Sequence, residues 1–220
     1  MKLNQYIDHT LLKAEASTAQ IEKLCQEALT HQFFSVCVNS SFVSHCASLL
    51  KGSSVKVCCV VGFPLGAMEM QSKAYETQRA VENGAHEIDM VLHVGALKEG
   101  RLQYVQDDIK AVVTAAKGRT VKVILETALL NDEQKVAACK AAQAAGAHFV
   151  KTSTGFGGGG ATIEDIKLMR SSVNTSMEVK ASGGIKDLAQ AQALIAAGAS
   201  RLGTSSGVAI LQGQTAQGGY

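Results

Sequence analysis

Apolar positions along the chain follow the spacing of amphipathic helices in several long stretches. In T-A-Q-I-E-K-L-C-Q-E-A-L they recur at i, i+3, i+4, i+7 and i+8, with Ser17 or Thr18 available as the N-cap. Another such stretch has a cap residue at Asn131, acidic residues in its first turn and a stop at Gly146. Further helices of this kind are predicted over residues 41–50, 69–83, 101–116, 162–170 and 187–197.

Short β-branched or apolar runs lie between these helices and predict eight strands. They occupy residues 6–11, 35–38, 55–61, 87–91, 121–126, 148–152, 178–181 and 201–203. Strands that alternate with helices and carry near-continuous apolar stretches are typical of a parallel sheet covered by helices. We therefore predict one α/β domain over residues 1–220, a (β/α)8 TIM barrel with a flexible C-terminal tail from about residue 212. The alternative is an open, doubly wound sheet.

Composition and charge narrow the classes of partner. The 21 lysines and arginines nearly balance 19 aspartates and glutamates, so an extended nucleic-acid surface is not expected. Six cysteines form neither a C-x-x-C pair nor a cluster with histidine at zinc spacing, so neither a redox motif nor a structural metal site is indicated. No cofactor is expected. The longest apolar run, residues 57–63, is far shorter than the roughly 20 residues of a membrane span. Without a recognisable signal peptide, a cytoplasmic protein is expected.

Charged residues close four of the predicted strands. They are Asp89 in E-I-D-M-V, Glu126 in V-K-V-I-L-E, Lys151 in H-F-V-K and Lys180 in E-V-K. Charged groups are rarely buried without a partner, and an ion pair inside the barrel would explain any one of them alone. Two lysines on neighbouring strands with an acid nearby favour a catalytic interpretation, because α/β barrels hold their active sites at the C-terminal ends of the strands.

The two lysines suggest nucleophilic chemistry. Two positive charges about 4 Å apart repel by roughly 4 kcal/mol at an effective dielectric of about 20, which corresponds to about three pKa units. One amine of the pair Lys151 and Lys180 would then be largely neutral at pH 7, as Schiff-base formation with a carbonyl requires. Asp89 could stabilise the charged partner or relay protons.

Glycine-rich segments follow the last three predicted strands and predict a phosphate site. Backbone N–H groups in such loops, together with a helix N-terminus, bind anions in many barrels. Residues 157–160 taken alone also fit a flexible connector, and the two serines of G-T-S-S-G also fit helix caps. The candidate phosphate ligands are Gly155, Gly183, Gly184, Gly203, Ser205 and Ser206.

The motifs together resemble the deoxyribose-phosphate aldolase family. They are I-D-H-T-L-L, F-P-L-G, E-I-D-M-V, V-I-L-E-T, F-V-K-T-S-T-G, V-K-A-S-G-G-I and G-T-S-S-G, and they run from Ile7 to Gly207. The resemblance implies a metal-free class I aldolase on a (β/α)8 barrel, which reversibly cleaves 2-deoxy-D-ribose 5-phosphate to acetaldehyde and D-glyceraldehyde 3-phosphate. By motif, Lys151 would form the imine, Lys180 would tune it, and Asp89 would serve in proton transfer.

The resemblance also implies a wider set of site residues. Asp8, Thr10 and Thr152 would line the substrate pocket, and the terminal Tyr220 would help deliver a proton to carbon. Phe156 follows K-T-S-T-G where the family often has a basic residue, so more of the phosphate binding falls to backbone amides.

The expected partners are a phosphorylated sugar and aldehydes, with no nucleic acid and no membrane, in a homodimer or higher homo-oligomer. Two other functions remain open from the residues alone. One is a different Schiff-base barrel of the transaldolase type, and the other is a sugar-phosphate-binding protein without turnover.

Overall fold

A closed barrel of eight parallel strands forms the centre of the computed structural model, which describes residues 2–216. The strands follow one another around the barrel in chain order, and β1 pairs with β8 through Ile7–Leu202 and Asp8–Gly203. This pairing confirms the predicted TIM barrel and excludes the open sheet. The strands are β1 (Ile7–Leu11), β2 (Ser35–Val38), β3 (Lys56–Val61), β4 (Glu87–Val91), β5 (Thr120–Ile124), β6 (Phe149–Lys151), β7 (Glu178–Ser182) and β8 (Arg201–Thr204).

Helices connect successive strands and cover the outside of the barrel. They are α1 (Thr18–His31), α2 (Val43–Leu49), α3 (Met70–Glu82), α4 (Val94–Lys98), α5 (Leu102–Ala115), α6 (Asp132–Ala144), α7 (Ile163–Ser172), α8 (Leu188–Ala196) and α9 (Gly207–Leu211). Short 3-10 turns cover Leu3–Tyr6, Ser40–Phe42 and Thr127–Leu129. The sequence pattern does not predict α4 and α9, because helices of five residues are too short to show a 3.6-residue period.

Side-chain caps begin the helices where the sequence indicates. The Ser17 side chain accepts a hydrogen bond from the backbone N–H of Gln20, and the Gln20 side-chain oxygen accepts one from the Ser17 backbone N–H, which completes a capping box. Asn131 and Gln134 form the same arrangement at the start of α6. These caps satisfy N–H groups that a helix leaves without intrahelical partners.

The core lies mainly between the strands and the helices. Every second strand residue packs outward against the helices, as Ile88 and Met90 do on β4. A smaller apolar cluster lies on β2, on β3 and just after β1, and consists of Leu12, Cys37, Cys58 and Val60. Residues of β4 to β8 instead supply most of the buried charge, so the interior is divided into an apolar side and a charged side.

The six cysteines are all buried and unpaired. Within residues 2–216, no helix combines the length and the apolar character that crossing a membrane requires.

Candidate active site

Charged side chains meet inside the barrel from six of its eight strands. In residues 2–216 four cations and three carboxylates take part, and none is more than 6% exposed. Such groups can remain buried only when they are paired and hydrogen-bonded. They are Asp8 of β1, Glu87 and Asp89 of β4, Lys122 of β5, Lys151 of β6, Lys180 of β7 and Arg201 of β8.

Asp89 lies at the centre of this cluster. Its Oδ2 accepts hydrogen bonds from Lys151 Nζ at 2.9 Å and from Lys180 Nζ at 2.8 Å. Its Oδ1 accepts from Lys122 Nζ at 2.8 Å. The structure therefore brings together the three residues that the sequence motifs single out for catalysis, and it adds Lys122 to them.

Lys180 is held by a second carboxylate as well. Its Nζ lies 2.5 Å from Asp8 Oδ2, in addition to its contact with Asp89. Burial alone would lower the pKa of Lys180, but the carboxylates of Asp8 and Asp89 outweigh it and raise the pKa above its usual range. Lys180 thus keeps its proton, because the two carboxylates outweigh both its burial and the repulsion from neighbouring lysines.

The two aspartates are stabilised in their ionised form. Burial would raise the pKa of Asp89, but Lys122, Lys151 and Lys180 outweigh it and hold the pKa well below its usual range. Burial acts in the same direction on Asp8, where Lys180 and Arg201 are the main groups that lower the pKa. Both side chains are therefore hydrogen-bond acceptors at neutral pH.

A deeper layer of ion pairs supports the groups around Asp89. Lys122 Nζ lies 2.6 Å from Glu87 Oε2, and Arg201 Nη1 lies 2.9 Å from Asp8 Oδ1 and 3.2 Å from Glu87 Oε2. The Arg201 guanidinium also stacks 3.4 Å from the centre of the Phe34 ring.

Sequence reasoning missed Lys122, Glu87 and Arg201. The signal was present in E-I-D and V-K-V, where charges occupy alternate positions of apolar strands. Lys122 is moreover the register partner of Asp89 on the neighbouring strand.

Two cysteines border the cluster without forming a convincing metal site. One ligand atom each from Cys37, Cys58 and Asp89 lies within 4.8 Å of the others. The Cys58 thiol donates to Asp89 Oδ1 at 3.1 Å, and Lys122 Nζ lies 3.5 Å from Cys58 Sγ. A bound cation there would face the adjacent ammonium group of Lys122, so the electrostatics of the donor set oppose metal binding.

Glu126 does not join the interior cluster. β5 ends at Ile124, two residues earlier than this carboxylate, and Glu126 adopts a left-handed backbone with φ of 55°. Its Oε1 accepts a hydrogen bond from the backbone N–H of Thr154 at 3.2 Å, and its Oε2 accepts one from the Thr154 hydroxyl. The carboxylate thus contacts the loop that follows Lys151.

The polar residues predicted to line the pocket already have partners in the protein. Asp8 Oδ1 accepts a hydrogen bond from the Ser35 hydroxyl at 2.6 Å, and the Thr10 hydroxyl donates to the Asp8 carbonyl at 2.8 Å. The Thr152 hydroxyl donates to the Ser182 carbonyl at 2.9 Å and accepts from the Ser182 N–H at 3.0 Å. Thr10 and Thr152 therefore fix the backbone around the mouth, and their contact with substrate stays a prediction.

The glycine run after β6 is fixed by close packing rather than left as a loose connector. A Cβ at Gly157 would lie 2.6 Å from Glu126 Cδ, and one at Gly160 would lie 2.5 Å from the Gly183 carbonyl oxygen. The Ala161 N–H also donates to that carbonyl at 3.0 Å. The loop is wedged between the loops that follow β5 and β7, and only glycine permits such approach.

The remaining candidate phosphate ligands surround the same end of the barrel. Gly155 and Gly184 have φ of 87° and 75°, which favours glycine, and the space above the Gly184 Cα is open. Gly203 instead leaves room for the Lys180 side chain, because a Cβ at residue 203 would lie 3.0 Å from Lys180 Cε. Ser205 is exposed, and Ser206 occupies the N-cap position of α9 without a side-chain cap hydrogen bond.

Phe156 forms part of an aromatic pair at the mouth. Its ring meets Phe63 edge-on at 5.3 Å between centroids, and 44% of the residue is exposed. Tyr220 lies outside the described residues. The last described residue, Ala216, donates its N–H to the Lys186 carbonyl at 3.0 Å, just after the β7 loop.

A closed parallel barrel whose charged side chains converge inside it is typical of the enzymes built on the TIM-barrel fold. Within that class, the chain belongs to the DeoC/LacD family of aldolases, whose model matches residues 2–213.

Proteins similar in sequence or structure match all or nearly all of this chain. A deoxyribose-phosphate aldolase of Bdellovibrio bacteriovorus is 72% identical over 220 residues, which is 100% of both chains. One from Streptococcus uberis is 59% identical over 220 residues, also 100% of both chains. The solved deoxyribose phosphate aldolase of Aeropyrum pernix, a tetramer, is 34% identical with a TM-score of 0.90 and covers 96% of this chain and 89% of its own.

Proposed function

We propose that the protein is a class I aldolase that reversibly cleaves 2-deoxy-D-ribose 5-phosphate to acetaldehyde and D-glyceraldehyde 3-phosphate. The observation that carries the proposal is the placement of Lys151 Nζ at the end of β6, 2.9 Å from an Asp89 oxygen that Lys180 shares. The family membership and the names of the full-length relatives support the same reaction.

The balance of charge supports Lys151 as the nucleophile. Among the described residues the interior cluster holds four buried cations and three carboxylates, so loss of one proton balances its charge. Lys122 lies within 4.0 Å of three of these carboxylates and Lys180 of two, whereas Lys151 has only its contact with Asp89. Lys151 is therefore the amine whose deprotonation costs the fewest ion pairs, and a neutral amine is the form that attacks a carbonyl.

The reaction then follows from ordinary imine chemistry. The Lys151 amine adds to the C1 aldehyde to give a carbinolamine. A proton supplied by a neighbouring acid such as the Lys180 ammonium lets water leave and forms the protonated imine. A base removes the proton of the C3 hydroxyl, the C2–C3 bond breaks, and its electron pair passes to the imine to give an enamine and glyceraldehyde 3-phosphate. Protonation of the enamine at C2 and hydrolysis release acetaldehyde and regenerate the amine. Asp89 and Lys180 are placed to exchange protons with the groups bound to Lys151.

The glycine-rich loops after β6, β7 and β8 would bind the phosphate group of the substrate. We assign its binding to backbone N–H groups around Gly155, Gly183, Gly184 and Gly203, with Ser205 and Ser206 at the start of α9. Oriented N–H groups favour anions without needing a basic side chain. Phe156 accordingly contributes an apolar wall beside the site and no charge.

The tail extends this proposal to Tyr220. The described residues end at Ala216, whose N–H donates to the Lys186 carbonyl in the loop after β7. A phenol with pKa of about 10 is protonated at neutral pH, so the Tyr220 hydroxyl could donate the proton that the enamine C2 receives.

Borohydride trapping tests the chemistry directly. The protein is incubated with acetaldehyde, reduced with borohydride and mapped by mass spectrometry, and we expect a stable adduct on Lys151. Lys151→Ala should lose both the adduct and cleavage, while Lys140→Ala, which removes an exposed lysine of α6, should retain both. Trapping without cleavage of the phosphorylated sugar would favour another Schiff-base aldolase. A protein that binds the sugar phosphate but yields no adduct would be a binding protein instead.

We also propose that the enzyme is a cytoplasmic homo-oligomer. Six unpaired cysteines fit a reducing compartment. The tetramer described for the Aeropyrum pernix relative supports assembly from identical subunits. Light scattering coupled to size-exclusion chromatography decides the assembly, because a mass near 23.0 kDa would identify a monomer.

A further inference from the structure

We propose that Glu126 is a positioning residue that sets the shape of the phosphate-binding loop after β6, acting through Thr154. The proposal rests on the proposed function, because it takes the loop around Gly155 as a phosphate ligand. Glu126 itself contacts neither Lys151 nor Asp89 in the hydrogen-bond and ion-pair network described above. Its role would therefore be felt in substrate recognition rather than in imine formation.

The contacts of Glu126 form a short chain of hydrogen bonds. One carboxylate oxygen accepts from the Thr154 N–H at 3.2 Å and the other accepts from the Thr154 hydroxyl. The same hydroxyl oxygen accepts from the Phe156 N–H at 3.0 Å. Because the Thr154 hydroxyl proton points at Glu126, a lone pair of the hydroxyl oxygen is free to face the Phe156 N–H. Gly155 therefore lies between two residues, Thr154 and Phe156, that these hydrogen bonds hold in place.

The packing around Glu126 is as specific as its hydrogen bonds. The residue is 3% exposed, and its backbone adopts the left-handed conformation, which costs a non-glycine residue of this kind about 1 kcal/mol. Gly157 lies against its carboxylate so closely that a Cβ there would overlap it. Glu126 is therefore a strained, buried residue that contacts the neighbouring loop at both Thr154 and Gly157. Such a residue can hold the loop in one conformation.

The effect of Glu126 extends beyond its own contacts. The glycine run that begins at Gly157 continues to Gly160, which packs against the Gly183 carbonyl on the β7 loop. Glu126 thus contacts one end of the glycine run, at Gly157, while the other end, at Gly160, packs against the candidate phosphate loop after β7. Displacing the segment should disturb both Gly155 and Gly183.

A carboxylate suits this place because both of its oxygens only accept. Thr154 supplies two donors, one N–H and one O–H, and the carboxylate satisfies both. In Glu126→Gln only the amide oxygen can accept, so one of the two Thr154 donors loses its acceptor and the hydroxyl is no longer held in its orientation toward Glu126 and the Phe156 N–H. The substitution changes almost no volume, which keeps the fold intact.

The test compares two substrates that differ only in the phosphate. For 2-deoxyribose 5-phosphate, we expect Glu126→Gln and Thr154→Val to raise KM about tenfold or more, the effect of losing a hydrogen bond worth about 1.4 kcal/mol. For unphosphorylated 2-deoxyribose, kcat/KM should change less than about twofold by the same reckoning. Inhibition by inorganic phosphate should weaken in parallel with the rise in KM.

Matched variants separate positioning from general damage. Thr154→Ser keeps the hydroxyl and should restore near wild-type KM, and Glu133→Gln, an exposed acid at the start of α6, should have no effect. The double variant Glu126→Gln/Thr154→Val should be no worse than either single one, because both break the same chain of hydrogen bonds.

Two outcomes would overturn the proposal. They are equal losses with both sugars and additive losses in the double variant. Borohydride trapping of acetaldehyde on Lys151 is measured in the same proteins. If the variants trap acetaldehyde normally and keep the wild-type preference for the phosphorylated sugar, only the proposed role of Glu126 is rejected. If the wild type itself traps no acetaldehyde, the aldolase function is rejected.

Discussion

Lys151 and Lys180 are register partners on neighbouring strands, and both amines bind the same oxygen of one carboxylate. The arrangement is unequal, because Lys180 has a second anchor in Asp8 that Lys151 lacks. Removing the proton of Lys151 therefore leaves the rest of the cluster in place. The geometry separates a lysine that reacts from a lysine that remains charged beside it.

Lys180→Leu should shift the acid limb of the pH–rate profile to higher pH. The substitution removes a positive charge beside Lys151, which makes that amine easier to protonate and its neutral form scarcer. The measurement is kcat/KM for 2-deoxyribose 5-phosphate across pH, with Lys140→Leu as the control at an exposed lysine. If the variant keeps some activity and its pH–rate profile does not move, then burial, rather than the charge of Lys180, sets the protonation of the Lys151 amine.

Asp89→Asn should destabilise the protein most at neutral pH. The pKa of Asp89 is held below its ordinary value in the folded state, so the stability it contributes is complete above about pH 4 and declines as the pH falls further. Breaking such a buried cluster typically costs about 3–5 kcal/mol. Urea unfolding at pH 7 and pH 3 should show the gap between wild type and variant narrowing in acid, whereas exposed Asp107→Asn should match the wild type at both. A gap that is constant with pH would contradict the ionised state of Asp89.

Gly159→Ala should lower thermal stability and raise KM, and Ala128→Gly should reverse much of both effects. A Cβ at residue 159 would overlap the Ala128 Cβ, and removing that methyl group restores the space. Ala128→Gly alone should cost only about 0.5–1 kcal/mol through backbone entropy. Thermal unfolding and KM of the two single variants and the pair provide the measurement, and purely additive losses would mean that the two loops do not press on each other.

Gly184→Asp should raise KM for the phosphorylated substrate by about tenfold or more, whereas Gly184→Asn should raise it much less. Both side chains meet the same left-handed backbone, and asparagine tolerates that conformation, so the pair isolates the added negative charge. Steady-state kinetics at low and moderate salt suffices. Equal KM values for the two variants would place the phosphate elsewhere.

Tyr220→Phe should slow turnover much more than it weakens binding. General acid catalysis commonly contributes about 100-fold or more, so kcat for 2-deoxyribose 5-phosphate cleavage should fall while KM changes little. Tyr75→Phe, an exposed tyrosine on α3, serves as the control. A kcat within about twofold of wild type would assign the proton to water relayed through Asp89 and Lys180.

The strand pattern predicts the barrel well because strands buried on both sides leave continuous apolar runs in the sequence. Boundaries differ by one or two residues, as at β5, where Glu126 lies beyond the last paired residue rather than closing the strand. Lys151, Lys180 and Asp89 stand out because their motifs are specific.

The deeper charges and the loop contacts were harder to predict. Arg201 reads as an ordinary strand-start cation until β8 is known to pair with β1 and to bring it against Asp8. The clash that requires glycine at residue 157 depends on the position of Glu126, 31 residues earlier, and no local pattern reports such a contact.

The ion pair between Asp8 and Arg201 joins residues 193 positions apart, on the first and last strands. Contacts so distant in sequence form slowly, because the chain must first close a very long loop. The charged cluster therefore cannot be complete while the last strand is undocked, and a nascent chain lacking β8 leaves Asp8 without one of its cations. Recovery of imine trapping during refolding would thus mark the moment of ring closure, later than the recovery of helical circular dichroism.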